Sequence, residues 1–462
     1  MGKDYSESSE RSYSVEVLEK HDGQSYPAVS RRKVLQKIDI RVVPVLCALY
    51  LLAFLDRVNI GNASLFGLKQ DLKLGGNEYN TALVIFFVPY VLFEVPSNLL
   101  LKRFKPHVWL SGCLFMFGLV TVLQGFTQNY SGILATRFFL GLFESAQTRW
   151  TFLFSSCSLA GAFGGLLASA IGKMDGIRGY HGWRWVFILE GLLSCVLSLA
   201  CYFLIADFPE EAKWLTPEEK AFVKARLEDD VGQSGIDARI DTKTVLKTLT
   251  NYKTILGGFM YFGLIVPAYS FVYFSPSIIQ SLGHSSIHTQ LLSVPPYACA
   301  FVVGMIVAAI SDRLAHRFLF IIISVCVSIS GFAILFVVHN NTRLQYGALF
   351  LAAMGTYTAM PIVLCWFGMN VRGHVQRAVA TGWQIGFGNI GGIIASYSFL
   401  AKDAPTYRMG YSICMSFVCL STLASCLYFV GLTIENRRRS NLKEDSEGGS
   451  VDSGKDSYAY LT

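Results

Sequence analysis

Apolar runs, all but one of them near or above the length that crosses a lipid bilayer, recur along this chain from Val42 to Ile434. In the first half they cover Val42–Ile60, Thr81–Leu101, Val108–Thr127, Ile133–Ser145, Phe152–Ile171 and Val186–Ala206. In the second half they cover Thr254–Pro276, Leu291–Ile310, Phe318–Val338, Tyr346–Phe367, Ala378–Leu400 and Tyr411–Ile434. A spanning helix needs about 20 apolar residues, and charged residues make up only 15% of the chain, against roughly 25% in a soluble domain. The expected fold is an all-α membrane protein of twelve spans in two six-helix halves.

An even number of spans leaves both tails on one side. Arg31, Arg32, Lys33, Lys37 and Arg41 precede the first span and Arg437, Arg438 and Arg439 follow the last, so the positive-inside rule makes both tails cytoplasmic. Lys173, Arg178 and Arg184 fall on the other side, as exceptions. The net charge of +7 is thereby used in anchoring, and no free basic patch remains for nucleic acid. Residues 1–30 hold no apolar core, so no cleavable signal peptide is expected. The domain reading is a disordered tail over 1–40, a six-helix half over 41–206, a cytoplasmic linker over 207–253, a second half over 254–435 and a disordered tail over 436–462. The 11 cysteines lie in apolar runs without a C-x-x-C pair. His284 and His288 lack a third ligand. Neither metal nor cofactor is expected.

The halves echo each other: Phe163-Gly164-Gly165-Leu166-Leu167-Ala168-Ser169 resembles Ile390-Gly391-Gly392-Ile393-Ile394-Ala395-Ser396. Small residues at this spacing favour close helix packing, which suits half-repeats that move as bodies. Aligning Arg103 with Arg313 and Gly164 with Gly391 leaves the first half about seventeen residues short between those points. The shortfall falls on the fourth span, where Ile133–Ser145 reaches roughly 20 Å against the ~30 Å required; Gln147–Trp150 is left as the turn into the fifth. In the linker, Thr216-Pro217-Glu218-Glu219 combines an N-cap, a first-turn proline and a box-closing acid, predicting one short helix from Pro217 that tethers the halves.

Asp56 and Arg57 stand together inside the first apolar run. Charge at bilayer depth costs about 2.5–3.5 kcal/mol on insertion scales. Such a pair marks either a wet transport route or an ion pair locking two helices. Arg137 and Glu144 are two turns apart on one face of the fourth span. Facing Asp56 and Arg57, they could exchange partners as one acid takes a proton, or serve as static glue. Glu94 and Glu190 fit structural hydrogen bonding. On the opposing half, Tyr357, Trp366, Gln384 and Asn389 could touch a solute, with Gln384 and Asn389 the preferred candidates.

Leu55-Asp56-Arg57-Val58-Asn59-Ile60-Gly61-Asn62-Ala63, Phe93-Glu94-Val95-Pro96-Ser97-Asn98, Arg137 through Glu144, Gly182-Trp183-Arg184-Trp185 and the run Gly386–Gly392 together resemble the fungal allantoate permease branch of the anion:cation symporter family, within the major facilitator superfamily. The resemblance runs from about Arg31 to Glu435. It implies proton-driven uptake of a small organic anion (allantoate, nicotinate or a related vitamin-like carboxylate) by a twelve-span major facilitator fold. It implies the fungal plasma membrane as location, the lipid bilayer, anion and proton as partners, and a monomer. By that resemblance Arg57 binds substrate carboxylate, Asp56 and Glu144 carry protons and Arg137 pairs with these acids. Lys102 and Arg103 after the second span, and Asp312 and Arg313 after the eighth, match the family's gating loops, the first copy lacking its usual acid. After Glu144 the chain departs from the family pattern, passing directly to Ser145-Ala146-Gln147-Thr148-Arg149. Either a coding segment was trimmed or the variant is truncated and transport-dead.

Overall fold

A computed structural model of the chain describes residues 31–101, 105–145, 155–205, 212, 214–223, 242–314, 316–371, 373–447 and 460–461. The first half consists of α1 (Arg31–Ala63), α2 (Glu78–Leu101), α3 (Pro106–Gly125), α4 (Tyr130–Ser145), α5 (Ser155–Ile171) and α6 (Gly182–Leu204). The second comprises α7 (Tyr252–Ser281), α8 (Ser286–Leu314), α9 (Arg317–Val337), α10 (Thr342–Asn370), α11 in two pieces (His374–Asn389 and Gly391–Ser398) and α12 (Arg408–Glu447). Among the described residues there is no strand. Eight helices there are long and apolar enough to cross a membrane; α2, α4, α5 and the two-piece α11 stand at the remaining positions expected from the sequence.

Paired glycines set how closely the halves approach. A Cβ on Gly165 of α5 would stand 2.7 Å from Ser293 Oγ and 3.0 Å from the Gln290 carbonyl on α8. One on Gly392 of α11 would enter the ring of Phe87 on α2. The partner glycines turn inward within each half, Gly164 toward Asn62 of α1 and Gly391 toward Val266 of α7. Both copies of the repeat therefore use one glycine against their own first helix and the next against the other half. At the end of the bundle remote from the chain termini, side chains bridge the halves. Asn80 Nδ2 donates to the Ser396 carbonyl at 2.5 Å, Ser286 Oγ to the Leu65 carbonyl at 3.0 Å, and Thr81 and Tyr397 hydroxyls meet at 3.0 Å. Arg184, against the charge pattern, is held at this end by Asp71 at 3.0 Å and the Thr127 carbonyl at 2.7 Å.

The domain edges need three corrections. Residues 31–40 are helix rather than tail, because Val34 and Ile38 bury an apolar stripe against Ala212, Leu215, Trp214 and Phe222. The closing tail is helical to Glu447, and Tyr460–Leu461 is bound against the bundle. The linker holds two helical stretches: 217–223 starts where expected, with the Thr216 amide donating to Glu219 Oε2 at 3.0 Å and the Glu219 amide to Thr216 Oγ1 at 3.3 Å, and Thr242–Leu249, which packs on the first piece of α11, carries no comparable start signal. Helix 217–223 rests on α1 through Lys37 and Glu219 at 2.5 Å, so each stretch lies on its own half. Helix α4 gains a turn before Ile133, giving 16 residues and roughly 24 Å. Residues 146–154, including the proposed turn Gln147–Trp150, lie outside the described residues.

Gly392→Leu should cost about 1–3 kcal/mol through overpacking against Phe87, read as a lowered melting temperature of detergent-purified protein, whereas Gly382→Leu, with open space around it, should leave melting unchanged. The Lys37 ammonium and the Thr216 amide hold the Glu219 carboxyl below the usual carboxylate range. Folding thus favours its ionised form, and the resulting stability is full above about pH 4.3 and lost as pH falls through the lower folded value. Cleavage of 217–223 by an acid-active protease should rise across that window, and Lys37→Gln should raise cleavage above it.

Candidate functional site

Side chains on a helix lean toward its N-terminus. Because α1 and α4 run in opposite directions, Arg57 and Glu144 lean toward each other and meet between the helices. Arg57 Nε donates to Glu144 Oε2 at 3.0 Å while Nη2 donates to Oε1, a two-point pair with both residues 4% exposed. The remaining arm, Nη1, donates to the Tyr269 hydroxyl on α7. Tyr269 in turn donates to Asn389 Oδ1 at 3.4 Å. One polar chain thus crosses from α4 through α1 to α7 and α11, linking the two halves. Aromatic rings box the guanidinium: Phe86 and Tyr90 centroids lie 5.2 Å away, Tyr269 5.5 Å and Phe54 5.7 Å. Quadrupole attraction from four rings stabilises a cation that has little water.

Arg137 is fully buried, yet its guanidinium goes to backbone, reaching the Arg57 carbonyl at 3.2 Å and the Ala82 carbonyl at 3.4 Å. The expected pairing of Arg137 with the acids is therefore replaced by a brace that fixes the α1 backbone under Arg57. Asp56 also departs from expectation. Neighbours on a helix point about 100° apart, so Asp56 faces α6 and accepts from Ser194 Oγ at 2.7 Å. One turn on, Asn59 Nδ2 donates to Glu190 Oε2 at 2.5 Å. Asp56 and Asn59 against Ser194 and Glu190 form a second polar seam, separate from the Arg57 box. Asp56 Oδ1 and Glu190 Oε1 are buried there without a hydrogen-bond partner.

The other sequence candidates scatter. Gln384 Nε2 donates to the Gly257 carbonyl at 3.2 Å and so ties α11 to α7. Asn389 joins the Arg57 chain through Tyr269, its own amide donating to the Ile385 carbonyl at 3.0 Å. Tyr357 donates to the Ala268 carbonyl at 3.1 Å. Asp312 accepts from Arg317 at 2.6 Å and Arg313 is exposed, while Lys102 and Arg103 lie outside the described residues. Glu94 is 3% exposed, with Oε2 unpartnered and only 3.1 Å from where a Cβ on Gly386 would sit. Glycine at 386 is what lets that carboxyl lie against the second half. Sequence reasoning passed over Tyr269, although a phenol inside an apolar run is a polar group there as surely as a charge is.

A family profile of the Major Facilitator Superfamily matches residues 46–149 and 147–396. An uncharacterized transporter of Schizosaccharomyces pombe is 32% identical over 427 residues, 88% of this chain and 85% of that protein. The MFS-type transporter cnsO of Penicillium expansum is 32% identical over 447 residues, 90% of this chain and 86% of cnsO. The major facilitator-type transporter hxnP of Emericella nidulans is 30% identical over 451 residues, 92% of this chain and 90% of hxnP. Among solved structures, a bacterial homolog of the human lysosomal transporter Spinster, inward-facing and occupied, superimposes with a TM-score of 0.60 at 12% identity, covering 84% of this chain and 95% of that one. Two helical halves meeting at glycine seams around a buried charged pair, and relatives matched over nearly their whole length, make this chain a multi-pass membrane transporter of the Major Facilitator Superfamily.

Proposed function

We propose that the chain is a proton-coupled symporter of the allantoate permease branch, importing a small organic anion by alternating access across twelve spans, with both tails in the cytoplasm of a fungal cell and the carrier in its plasma membrane. The observation that carries this reading is the buried two-point pair of Arg57 and Glu144 inside an aromatic box at the junction of the halves. Guanidinium geometry matches a carboxylate in two places, so an anionic substrate and Glu144 compete for the same fork. A protonated Glu144 lets go of Arg57. The substrate carboxylate then takes the fork, and the Tyr269 hydroxyl and Asn389 sense it from the second half. Entry of a lone monoanion into a negative cell opposes about 2.3 kcal/mol per 100 mV, and a proton carried with it cancels that charge. Asp56 and Glu190, on the separate α1–α6 seam, offer a second place to hold a proton. Arg137 sets the Arg57 backbone, Gln384 ties α11 to α7, and Lys102, Arg103, Asp312 and Arg313 belong to the loops that gate opening.

A second reading is favoured by one feature: the family match breaks at 147–149, where the repeat offset puts the missing residues and where α4 ends. On that reading the chain is a transport-dead nutrient sensor or a nonfunctional truncated product. Uptake in proteoliposomes separates the two. A carrier accumulates at least one carboxylate from a panel of vitamin-like acids under an inward proton gradient. A dead product binds without accumulation or does neither.

For the carrier, Arg57→Ala should reduce uptake at least about thirtyfold, since truncating one partner of a buried, hydrogen-bonded charge pair at a binding site costs about 2–5 kcal/mol. Tyr269→Phe should raise the half-saturating concentration about tenfold, the worth of one hydrogen bond to a charged group. Glu144→Gln should keep counterflow exchange but lose pH-driven accumulation. Full accumulation by Arg57→Ala, with the protein folded by its melting curve, overturns the site.

A further inference from the structure

The end of the second half from which α12 emerges holds a built peptide site. Asn436 on α12 accepts the Tyr460 amide through Oδ1 at 2.8 Å and donates Nδ2 to the Tyr460 carbonyl at 3.0 Å. Asn370 at the end of α10 does the same for the next residue, accepting the Leu461 amide at 2.9 Å and donating to its carbonyl at 3.1 Å. A side-chain amide presents donor and acceptor in one plane, so two asparagines on two helices read two consecutive backbone units. Trp366 Nε1 adds a third helix-borne contact, donating to the Leu461 carbonyl at 2.8 Å.

Side-chain recognition is equally specific. The Tyr460 ring lies 3.8 Å from the Lys253 ammonium of α7 and 4.5 Å from the Arg439 guanidinium of α12, and its hydroxyl accepts from Arg439 Nη2 at 2.8 Å. Lys253 is itself fixed by Glu435 at 2.6 Å. Trp366 is fully buried, edge-on to Tyr428 at 4.8 Å, so its N–H has Leu461 as its hydrogen-bond acceptor in the docked arrangement. Three helices, α7, α10 and α12, converge on one dipeptide.

We infer that this is a peptide-binding site whose occupant is the chain's own Tyr460–Leu461 segment, and that docking latches the ends of α7, α10 and α12 together. Glu447 and Tyr460 are thirteen residue steps apart, a covalent reach of up to about 45 Å, so a released segment stays tethered to its site. Tethering raises its local concentration to about the millimolar range. The occupant is an internal ligand, and a change at this end of the second half must either carry the dipeptide along or release it. Nothing here depends on which solute is carried, so failure of the symport reading leaves the latch standing.

The test uses a synthetic peptide of residues 455–462, fluorescein-labelled at its N-terminus, with a variant ending at Glu447. Fluorescence anisotropy should show saturable binding to the shortened protein. Binding should be about tenfold weaker to the full chain, whose own segment competes. It should also be about tenfold weaker when the shortened protein carries Asn370→Ala or the peptide carries Tyr460→Ala, a change of about 1.4 kcal/mol. Absence of saturable binding, or equal binding to all forms, overturns the site. In case the shortened variant fails to fold, p-benzoylphenylalanine in place of Tyr460 in the full chain should photocross-link to peptides carrying Lys253 or Arg439. Cross-links elsewhere, or none, overturn it independently.

Discussion

The buried Arg57 guanidinium, paired with Glu144, constrains everything around it. Arg57 sits where water is scarce, and a charge there is tolerable only with acceptors on each of its nitrogens and attraction from the surrounding rings. Glu144 fills two donors, Tyr269 a third, and Phe54, Phe86, Tyr90 and Tyr269 enclose the plane. Because Tyr269 belongs to the second half, the pair cannot rearrange without that half registering it. The charged pair and a contact between the halves therefore belong to one polar chain.

The glycine seams set how closely the halves meet. Gly165 lets α5 approach the α8 backbone closely, and Gly392 makes room for the Phe87 ring of the first half. Hydrogen bonds between the halves at Asn80, Thr81, Ser286 and their partners join the far end of the bundle. The near end is organised differently. There each linker helix rests on its own half, and the Tyr460–Leu461 segment gathers three helices of the second half alone.

The spans and the repeat were legible because membrane insertion writes them as long apolar runs and because a duplicated glycine pair survives as text. Arg57 and Glu144 were legible for a related reason, since charge inside such a run is costly enough to be conspicuous. Which partner each charged residue meets was not. Adjacent residues on a helix diverge in space, so Asp56 joined Ser194 on another face, and Arg137, equally charged, settled on carbonyl oxygens. Periodicity cannot distinguish a guanidinium that meets an acid from one that meets backbone. Tyr269 and the Asn370–Asn436 pair escaped notice because neutral polar groups look like filler until tertiary packing aligns them. The helical residues 31–40 escaped for the opposite reason: their charges masked the Val34 and Ile38 stripe that packs on the linker.

The claim that Glu144 yields Arg57 to an anion is tested most directly by following protons during binding rather than transport. A pH indicator in weakly buffered detergent solution, with purified protein and a carboxylate that it binds, reports any proton taken up as the complex forms. If anion and Glu144 share one guanidinium, each bound carboxylate brings a proton into the wild-type protein, and Glu144→Gln binds the same anion with none. Saturable binding at the Arg57 site with no proton uptake by the wild type would contradict it.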